Sequence, residues 1–387
     1  MQFIDLNTQQ KRIRDDIEAR LKAVLDHGRY VMGPEIDEIE ETLAGFSGVT
    51  HGMGCASGTD ALLLALLAKG ISPGDVILTT PFTFIATAEV VSLLGAVPVF
   101  VDIDPRTFNM DPQALEQTIL AMDSGSGDAA LPGIKNLPKA MGIIVVDLFG
   151  QIADYDRIEA IADKHGMFVI EDAAQSFGAL QKDKKSCSFG HIACTSFFPA
   201  KPLGCYGDGG MCFTNDQEAD TIMRSLRMHG QGSDRYDNVR IGINGRIDSF
   251  QAAVLLSKFS VFPEELELRQ QAAERYNSLL GDSDKVLSPL VEQDNQSAWA
   301  QYTLMAAKAS WRDQILDHMK TREVPTAVYY PKPLHLQDAF TNLGYSIGDF
   351  PVTEDCAARV FSLPMHPYLS EEDQEIVAKA VLSFEPE

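Results

Sequence analysis

Six short apolar runs, at residues 76–79, 97–102, 142–146, 168–170, 193–198 and 211–214, alternate with longer stretches of helical periodicity. Runs this short, with no polar residue at every second position, belong to strands buried on both faces. Strands that alternate with helices build a mainly parallel sheet covered on both sides. Helices are predicted over 58–68, 85–94, 112–120 and 158–165. Ahead of the sheet, Ile13, Ile17, Leu21 and Val24 recur at spacings of four, four and three, which predicts an amphipathic helix broken at Gly33-Pro34. A second helix, over 35–46, puts Ile36, Ile39, Leu43 and Phe46 on one face.

A chain of 387 residues exceeds one simple core. After about residue 250 the texture changes to long helical stretches at 251–259 and 263–280, followed by shorter mixed elements. The expectation is a large α/β domain over 1–250, with the N-terminal helices, and a smaller C-terminal α+β domain over 251–387. Residues 122–138, MDSGSGDAALPGIKNLP, are rich in Gly, Ser, Asp and Pro and read as a mobile surface loop.

Charge excludes one class of partner. The formal net charge is −23, from 32 Lys+Arg against 55 Asp+Glu, and no Lys/Arg-rich run exists. Nucleic acid, which needs a basic face to displace counterions, is not an expected partner. A small anion can still bind where arginines or backbone N–H groups converge. The longest apolar stretches, such as 61–68, fall far short of the roughly 20 residues of a membrane span. The polar start MQFIDLNTQQKR has no secretory h-region. Six scattered cysteines form no CxxC pair and no zinc-like spacing, which predicts no metal, reduced thiols and a cytoplasmic location.

Three segments could carry chemistry. The run FVIEDAAQ (168–175) is a strand ending in two carboxylates, and ligands of open α/β sheets sit beyond strand C-termini. Asp172 there is either a cofactor partner or part of a turn or helix cap. In TSFFPAKPLGCYGDGG (195–210) a single lysine, Lys201, lies in apolar and glycine-rich surroundings. Desolvation frees such an amine as a nucleophile or base, although a lysine reaching to solvent from a turn has the same local signature. Those glycines match neither a Walker loop nor a dinucleotide fingerprint. In CASGTDAL (55–62), small polar residues open a helix, which suits either a phosphate at its N-terminus or simple capping by Ser57 or Thr59. Together the three ask for a ring nitrogen, an aldehyde and a phosphate, the groups of pyridoxal 5'-phosphate (PLP).

The chain resembles the DegT/StrS-type sugar aminotransferases, which are fold-type-I PLP enzymes. The likeness runs from GRYVMGPEI (28–36) to YYPKPLHLQ (329–337). Between them SGTDAL, PFTFIATA, VDIDP, LFGQIADYD, VIEDAAQSFGA, SFFPAKPLGCYGDGG and GINGRIDSFQAA follow in the family's order. SFFPAKPLGCYGDGG and RMHGQ (227–231) resemble the bacterial enzymes that aminate UDP-2-acetamido-2-deoxy-3-oxo-glucuronate at C3.

The resemblance implies a large domain with a mostly parallel sheet of the seven-stranded type. It implies that Lys201 bonds the cofactor aldehyde and moves the proton, and that Asp172 holds the pyridine nitrogen. Gln175 would lie on the phenolic-oxygen side and Phe84 would stack on the ring. Gly58, Thr59 and Ser196 would bind the phosphate, with Asn244 supplied by a partner subunit, so that a homodimer shares its active sites. Met32, Tyr302, Tyr330 and His335 match positions near the nucleotide sugar. Arg227, His229 and Arg246 would give a UDP-uronate its positive charge. The implied reaction passes an amino group from L-glutamate to a UDP-linked 3-keto sugar for cell-surface polysaccharides such as O-antigen. The alternative is a C4 aminotransferase of a UDP- or dTDP-linked 4-keto sugar, and more remotely a non-catalytic regulatory relative. Two features depart from the family: the 122–138 segment is longer, and Asp147 stands where many relatives carry His.

Overall fold

The computed structural model describes residues 1–124, 129–134, 136–234, 236–281 and 283–386. Its central sheet has seven strands: β1 (His51–Cys55), β2 (Val76–Thr79), β3 (Val97–Phe100), β4 (Ala140–Val146), β5 (Phe168–Asp172), β6 (Ile192–Ser196) and β7 (Gly210–Thr214). Their spatial order is β1-β7-β6-β5-β4-β2-β3. Only β7 runs against its neighbours; the pairs from β6 through to β3 are all parallel. All of β2, β7 and the last four residues of β5 are buried, as their apolar runs require.

Six of these strands follow the predicted apolar runs, but β1 was not among them. Its sequence HGMGC hides the pattern because glycine stands where a side chain would meet helix α3 (Pro34–Ser47). A Cβ on Gly52 would lie 2.9 Å from the Glu40 carbonyl, and one on Gly54 would lie 2.9 Å from Ile247 Cγ2.

The N-terminal helices also differ from expectation. α1 (Leu6–Arg12) and α2 (Arg14–His27) meet at Ile13, and α2 stops at Gly28 in the left-handed conformation, φ 70°. Gly33-Pro34 does not break a helix; Pro34 starts α3, where its missing N–H costs nothing. Helices α4 (Gly58–Ala68), α5 (Ala86–Leu93), α6 (Pro112–Ser124), α7 (Tyr155–His165) and α8 (Gln217–Leu226) cover the sheet. Ser57, Asp154 and Asp216 cap α4, α7 and α8.

Of the predicted mobile loop, residues 122–124 complete α6, while 125–128 and 135 lie outside the described residues. Part of the described remainder is docked, while Ile134, Asn136 and Pro138 are exposed. Pro132 is buried, Leu131 packs on the core, and the Gly133 N–H donates to Leu343 O at 2.7 Å.

The C-terminal unit carries a three-stranded antiparallel sheet, β8 (Val286–Leu287), β9 (Tyr302–Ala306) and β10 (Val360–Leu363), in that spatial order. Helices α11 (Ala309–Thr321), α12 (Pro351–Arg359) and α13 (Glu371–Leu382) pack with it. The passage between units does not coincide with the change of texture at 250/251. Helix α9 (Ser249–Phe259) puts Ala252, Leu255 and Leu256 into the same core as Ile36, Leu43 and Phe213, and Phe262 joins them. Farther along α10 (Phe262–Leu280), Ala272, Tyr276 and Leu280 belong to the C-terminal core with Tyr302 and Phe361. We place the passage within α10. The texture change marks where helices lengthen, not where they change packing partners.

Leu64, fully buried on α4 among side chains of several strands, offers a test of this core. Leu64→Ala should cost about 2–5 kcal/mol in chemical denaturation, from the lost transfer energy and the cavity left behind. A loss below about 1 kcal/mol would mean that α4 is not packed as described.

Candidate active site

The strand ends bring the predicted groups together. β5 ends at Asp172, which pairs in register with Val146 of β4 and Cys194 of β6, two residues before Ser196. Asp172 is 5% exposed. Its Oδ2 accepts from Thr87 Oγ1 at 2.8 Å and its Oδ1 accepts from the Ala174 N–H at 3.2 Å. Burial pushes its carboxyl above the ordinary aspartate range; the two donors and the charge of Lys201 pull it back.

Lys201 follows β6 in a turn closed by its own N–H to Phe198 O at 2.9 Å. Burial lowers its ammonium below the ordinary lysine value, against the pull of Asp172. Among the described residues no hydrogen bond or ion pair engages Nζ. The amine is thus biased towards the neutral, nucleophilic form and is free to act.

A third component is the start of α4. Ser57 Oγ accepts from the Asp60 N–H at 3.0 Å, which leaves the first-turn N–H groups of Gly58 and Thr59 without an intrahelical acceptor. The helix start abuts Ser196 so closely that a Cβ on Gly58 would lie 2.7 Å from Ser196 Cβ. A Cβ on Gly210, the first residue of β7, would lie 2.4 Å from the Ser57 carbonyl. These glycines let the helix N-terminus, with its partial positive charge, reach the strand ends.

The aromatic side is partly open. Phe84 is 56% exposed and its ring centroid lies 6.4 Å from that of the half-buried Tyr330. Gln175 is buried and fixed from both ends. Its Oε1 accepts from the Phe149 N–H at 2.6 Å and its Nε2 donates to Tyr330 Oη at 3.2 Å. A buried carboxylate, a neutral-biased amine, a helix N-terminus beside a hydroxyl and an open aromatic ring suit the nitrogen, aldehyde, phosphate and ring of PLP.

Other predicted residues lie elsewhere. Arg227 is not available to a substrate. It is 3% exposed, and its Nη1 donates to Glu40 Oε1 at 2.5 Å and to Gly54 O at 2.6 Å. Glu40 also binds Arg224 at 2.6 Å and accepts the Gly54 N–H at 2.9 Å, so this is a structural knot between α3, β1 and α8. Tyr302 is fully buried in the C-terminal core. It packs against Tyr276 and Trp299, with Oη donating to Asn277 Oδ1 at 2.6 Å. His335 is also interior: its ring lies 4.7 Å from that of Phe350 and its Nε2 is 3.1 Å from Glu354 Oε1. The resemblance and, for Arg227, its charge placed these three near the substrate, whereas each has a side-chain partner within the fold.

Met32 is half-buried against the core around α3, at φ 54°. His229 and Asn244 are exposed on neighbouring segments, joined through the bridge between Met228 and Asn244 and the His229 N–H to Ile243 O. Arg246 is half-buried and follows Gly245, whose carbonyl accepts the Ala56 N–H at 2.9 Å just ahead of α4.

Two further buried positions beside Asp172 escaped sequence reasoning. Thr87 was inside PFTFIATA, where a buried hydroxyl at a helix start was the available signal. Asp147 was noted only as a departure, but it is fully buried. Its N–H donates to Asp172 O at 3.1 Å, and its carboxylate accepts from the Ala153 N–H at 3.0 Å and from Ser176 Oγ at 2.8 Å. Glu171, also fully buried, takes the N–H groups of Cys187 and Phe189. Burial holds both carboxyls well above the usual range, and no cation pairs with either among the described residues.

The model of the DegT/DnrJ/EryC1/StrS aminotransferase family matches residues 11–382. The chain is similar to the UDP-2-acetamido-2-deoxy-3-oxo-D-glucuronate aminotransferase of Pseudomonas aeruginosa, with 47% identity over 381 residues, 98% of this chain and 99% of that protein. A DegT DnrJ EryC1 StrS aminotransferase from Brucella abortus, solved as a crystal structure, is 46% identical with a TM-score of 0.92, over 98% of each chain. NtdA of Bacillus subtilis, solved with bound cofactor PMP, is 27% identical with a TM-score of 0.85, over 98% of this chain and 82% of that one.

Two outcomes follow from this geometry. Arg227→Met leaves Glu40 with Arg224 as its remaining cation and removes the buried hydrogen bonds of Arg227 to Glu40 and Gly54 O, and should cost about 1–3 kcal/mol in denaturant titrations; an effect confined to substrate affinity would restore Arg227 to the binding residues. Asp147 tests the buried acid pair. Its carboxyl titrates near pH 4 when unfolded and higher when folded, so its contribution to stability is full below about pH 4 and is lost as pH rises through the folded value. Asp147→Asn lacks this loss, so its denaturation midpoint relative to wild type should climb between about pH 5 and about pH 8. A constant difference over that range would contradict the assignment.

Proposed function

The chain belongs to the DegT/DnrJ/EryC1/StrS aminotransferase family, and we propose that it passes the amino group of L-glutamate to C3 of a UDP-2-acetamido-2-deoxy-3-oxo-glucuronate-like sugar. As a PLP-dependent sugar aminotransferase it has the residues its cofactor needs. The observation that carries the proposal is the convergence of Asp172, Lys201 and the α4 N-terminus at adjacent strand ends, in a chain 47% identical to a relative named for that sugar.

PLP supplies an electron-withdrawing ring through which a proton can leave a neighbouring carbon. The residues do the rest. Asp172 holds a proton on the ring nitrogen. Lys201, its ammonium lowered by burial, would hold the cofactor through its aldehyde and would carry a proton at Nζ between cofactor and substrate carbons. Gly58, Thr59 and Ser196 orient the phosphate, and Phe84 covers the ring face. Gln175, held by Phe149 and Tyr330, lines the phenolic-oxygen edge.

With Arg227 occupied elsewhere, Arg246 and His229 remain, of the three positions, to bind the anionic groups of a UDP-uronate. Met32 and Tyr330 border the sugar side. A homodimer completes the site through Asn244. Support for this comes from exposed apolar side chains near that residue, Val239 at 55% and Ile241 at 92%, which a monomer would leave in water. No described helix is long and apolar enough to cross a membrane. All six cysteines are free and buried, which supports a reducing, cytoplasmic setting, and a UDP-amino-uronate made there would serve as a precursor of cell-surface polysaccharides.

The test is the visible spectrum of the protein with PLP, before and after L-glutamate, followed by turnover of a panel of 3-keto and 4-keto nucleotide sugars. Wild type should show a lysine-bound cofactor band that glutamate bleaches, Lys201→Ala should show none, and the UDP-3-keto-uronate should be the best acceptor. Preference for a 4-keto sugar would move the reaction to C4, and failure of glutamate to bleach the band would remove the proposed donor.

A further inference from the structure

The carboxylate of Asp172 is held by more than its strand. Thr87 Oγ1 lies 2.8 Å from Asp172 Oδ2, and Thr83 Oγ1 lies 3.1 Å from Thr87 Oγ1. Thr83 is 3% exposed and Thr87 1% exposed, so water does not compete for these hydroxyls. An ionised carboxylate can only accept, so Thr87 spends its one proton on Asp172, and its oxygen can then only accept from Thr83. The direction of the chain is therefore set by the charge at its end: Thr83 to Thr87 to Asp172.

The reverse direction is the costlier one. If Asp172 carried a proton on Oδ2 and donated it to Thr87, Thr87 would donate to Thr83. The Thr83 proton would then have no acceptor among the described residues. A stranded buried donor costs more than a spare lone pair on an oxygen. The two-threonine chain thus favours the ionised carboxylate, in a place where burial works against it. The Ala174 N–H on Oδ1 completes the clamp, so the remaining acceptor directions of the carboxylate have one fixed orientation.

We propose that Thr87, backed by Thr83, is a positioning residue that keeps Asp172 charged and oriented for the pyridine nitrogen of the cofactor. The proposal rests on the PLP reading of the site and assigns a role to residues outside the predicted set. The titratable groups that face Asp172 are Lys201, Asp147, Cys194, Tyr155 and Tyr330. Of these, only Lys201 can carry a positive charge, so the neutral support of the carboxylate comes from the hydroxyl chain and the Ala174 N–H.

The experiment measures the PLP dissociation constant of cofactor-stripped protein between about pH 6 and about pH 8 for wild type, Thr87→Val, Thr87→Ser and Thr83→Val, with melting temperature as a folding control. Thr87→Val keeps the shape and removes the donor. It should weaken PLP binding about tenfold or more, increasingly so as pH falls and Asp172 takes up a proton. Thr87→Ser should restore binding to within about threefold, and Thr83→Val should fall between the two. A folded Thr87→Val that binds PLP like wild type overturns the inference, and so does a Ser variant as weak as Val, since the methyl group would then be what matters. If wild type itself binds no PLP, the proposed function falls as well; if wild type binds and the variants do not differ, this inference alone falls.

Discussion

Asp172 and Lys201 attract each other across the strand ends, and among the described residues no hydrogen bond joins them. A direct ion pair would have consumed both groups. Unpaired with each other, the carboxylate and the amine both remain available to a ring that carries a basic nitrogen and an aldehyde. Each is held in place by its own segment. Asp172 is fixed by β5, by the Ala174 N–H and by Thr87. Lys201 is fixed by the turn after β6. Neither backbone can shift without disturbing a buried parallel strand.

The second constraint is close approach. The β1–α4 turn must lie against the ends of β6 and β7 for the helix N-terminus to face the site. Gly58 and Gly210 are where it does so, and any side chain at either would meet Ser196 or Ser57. Beneath the site, Asp147 links the end of β4 to residues 153 and 176. It keeps the turn after β5, and hence Gln175, in place. It does so beside another uncompensated carboxyl, Glu171, an arrangement that trades some stability for a defined turn.

The cofactor class was legible where chemistry demanded several residues at once. Lys201, Asp172 and the α4 start were each ambiguous, and only the set specified a cofactor. Sequence reasoning could not tell which residues placed near the substrate by the resemblance were already engaged by distant partners. Arg227, Tyr302 and His335 look like binding residues in a string of motifs, yet Glu40, Asn277 and Glu354 are their partners. Those partners lie 187, 25 and 19 positions away in the chain, beyond any local pattern. The two N-terminal helices were merged into one for a related reason. Ile13 keeps the apolar periodicity of α2 unbroken while its backbone departs from the helix.

The sequence by itself determined the alternation of buried strands and helices, because apolar runs and helical periodicity are local consequences of side-chain transfer energies. It also determined the class of cofactor, because three reactive features at strand and helix ends leave few alternatives. Only the tertiary structure decided which polar residues remain free for chemistry, because a hydrogen bond or ion pair to a distant segment removes a group from use without a local trace. Where α10 passes from one core to the other, and whether Asp172 is supported by a pair of threonines or by an arginine, depend likewise on which segments pack together in three dimensions.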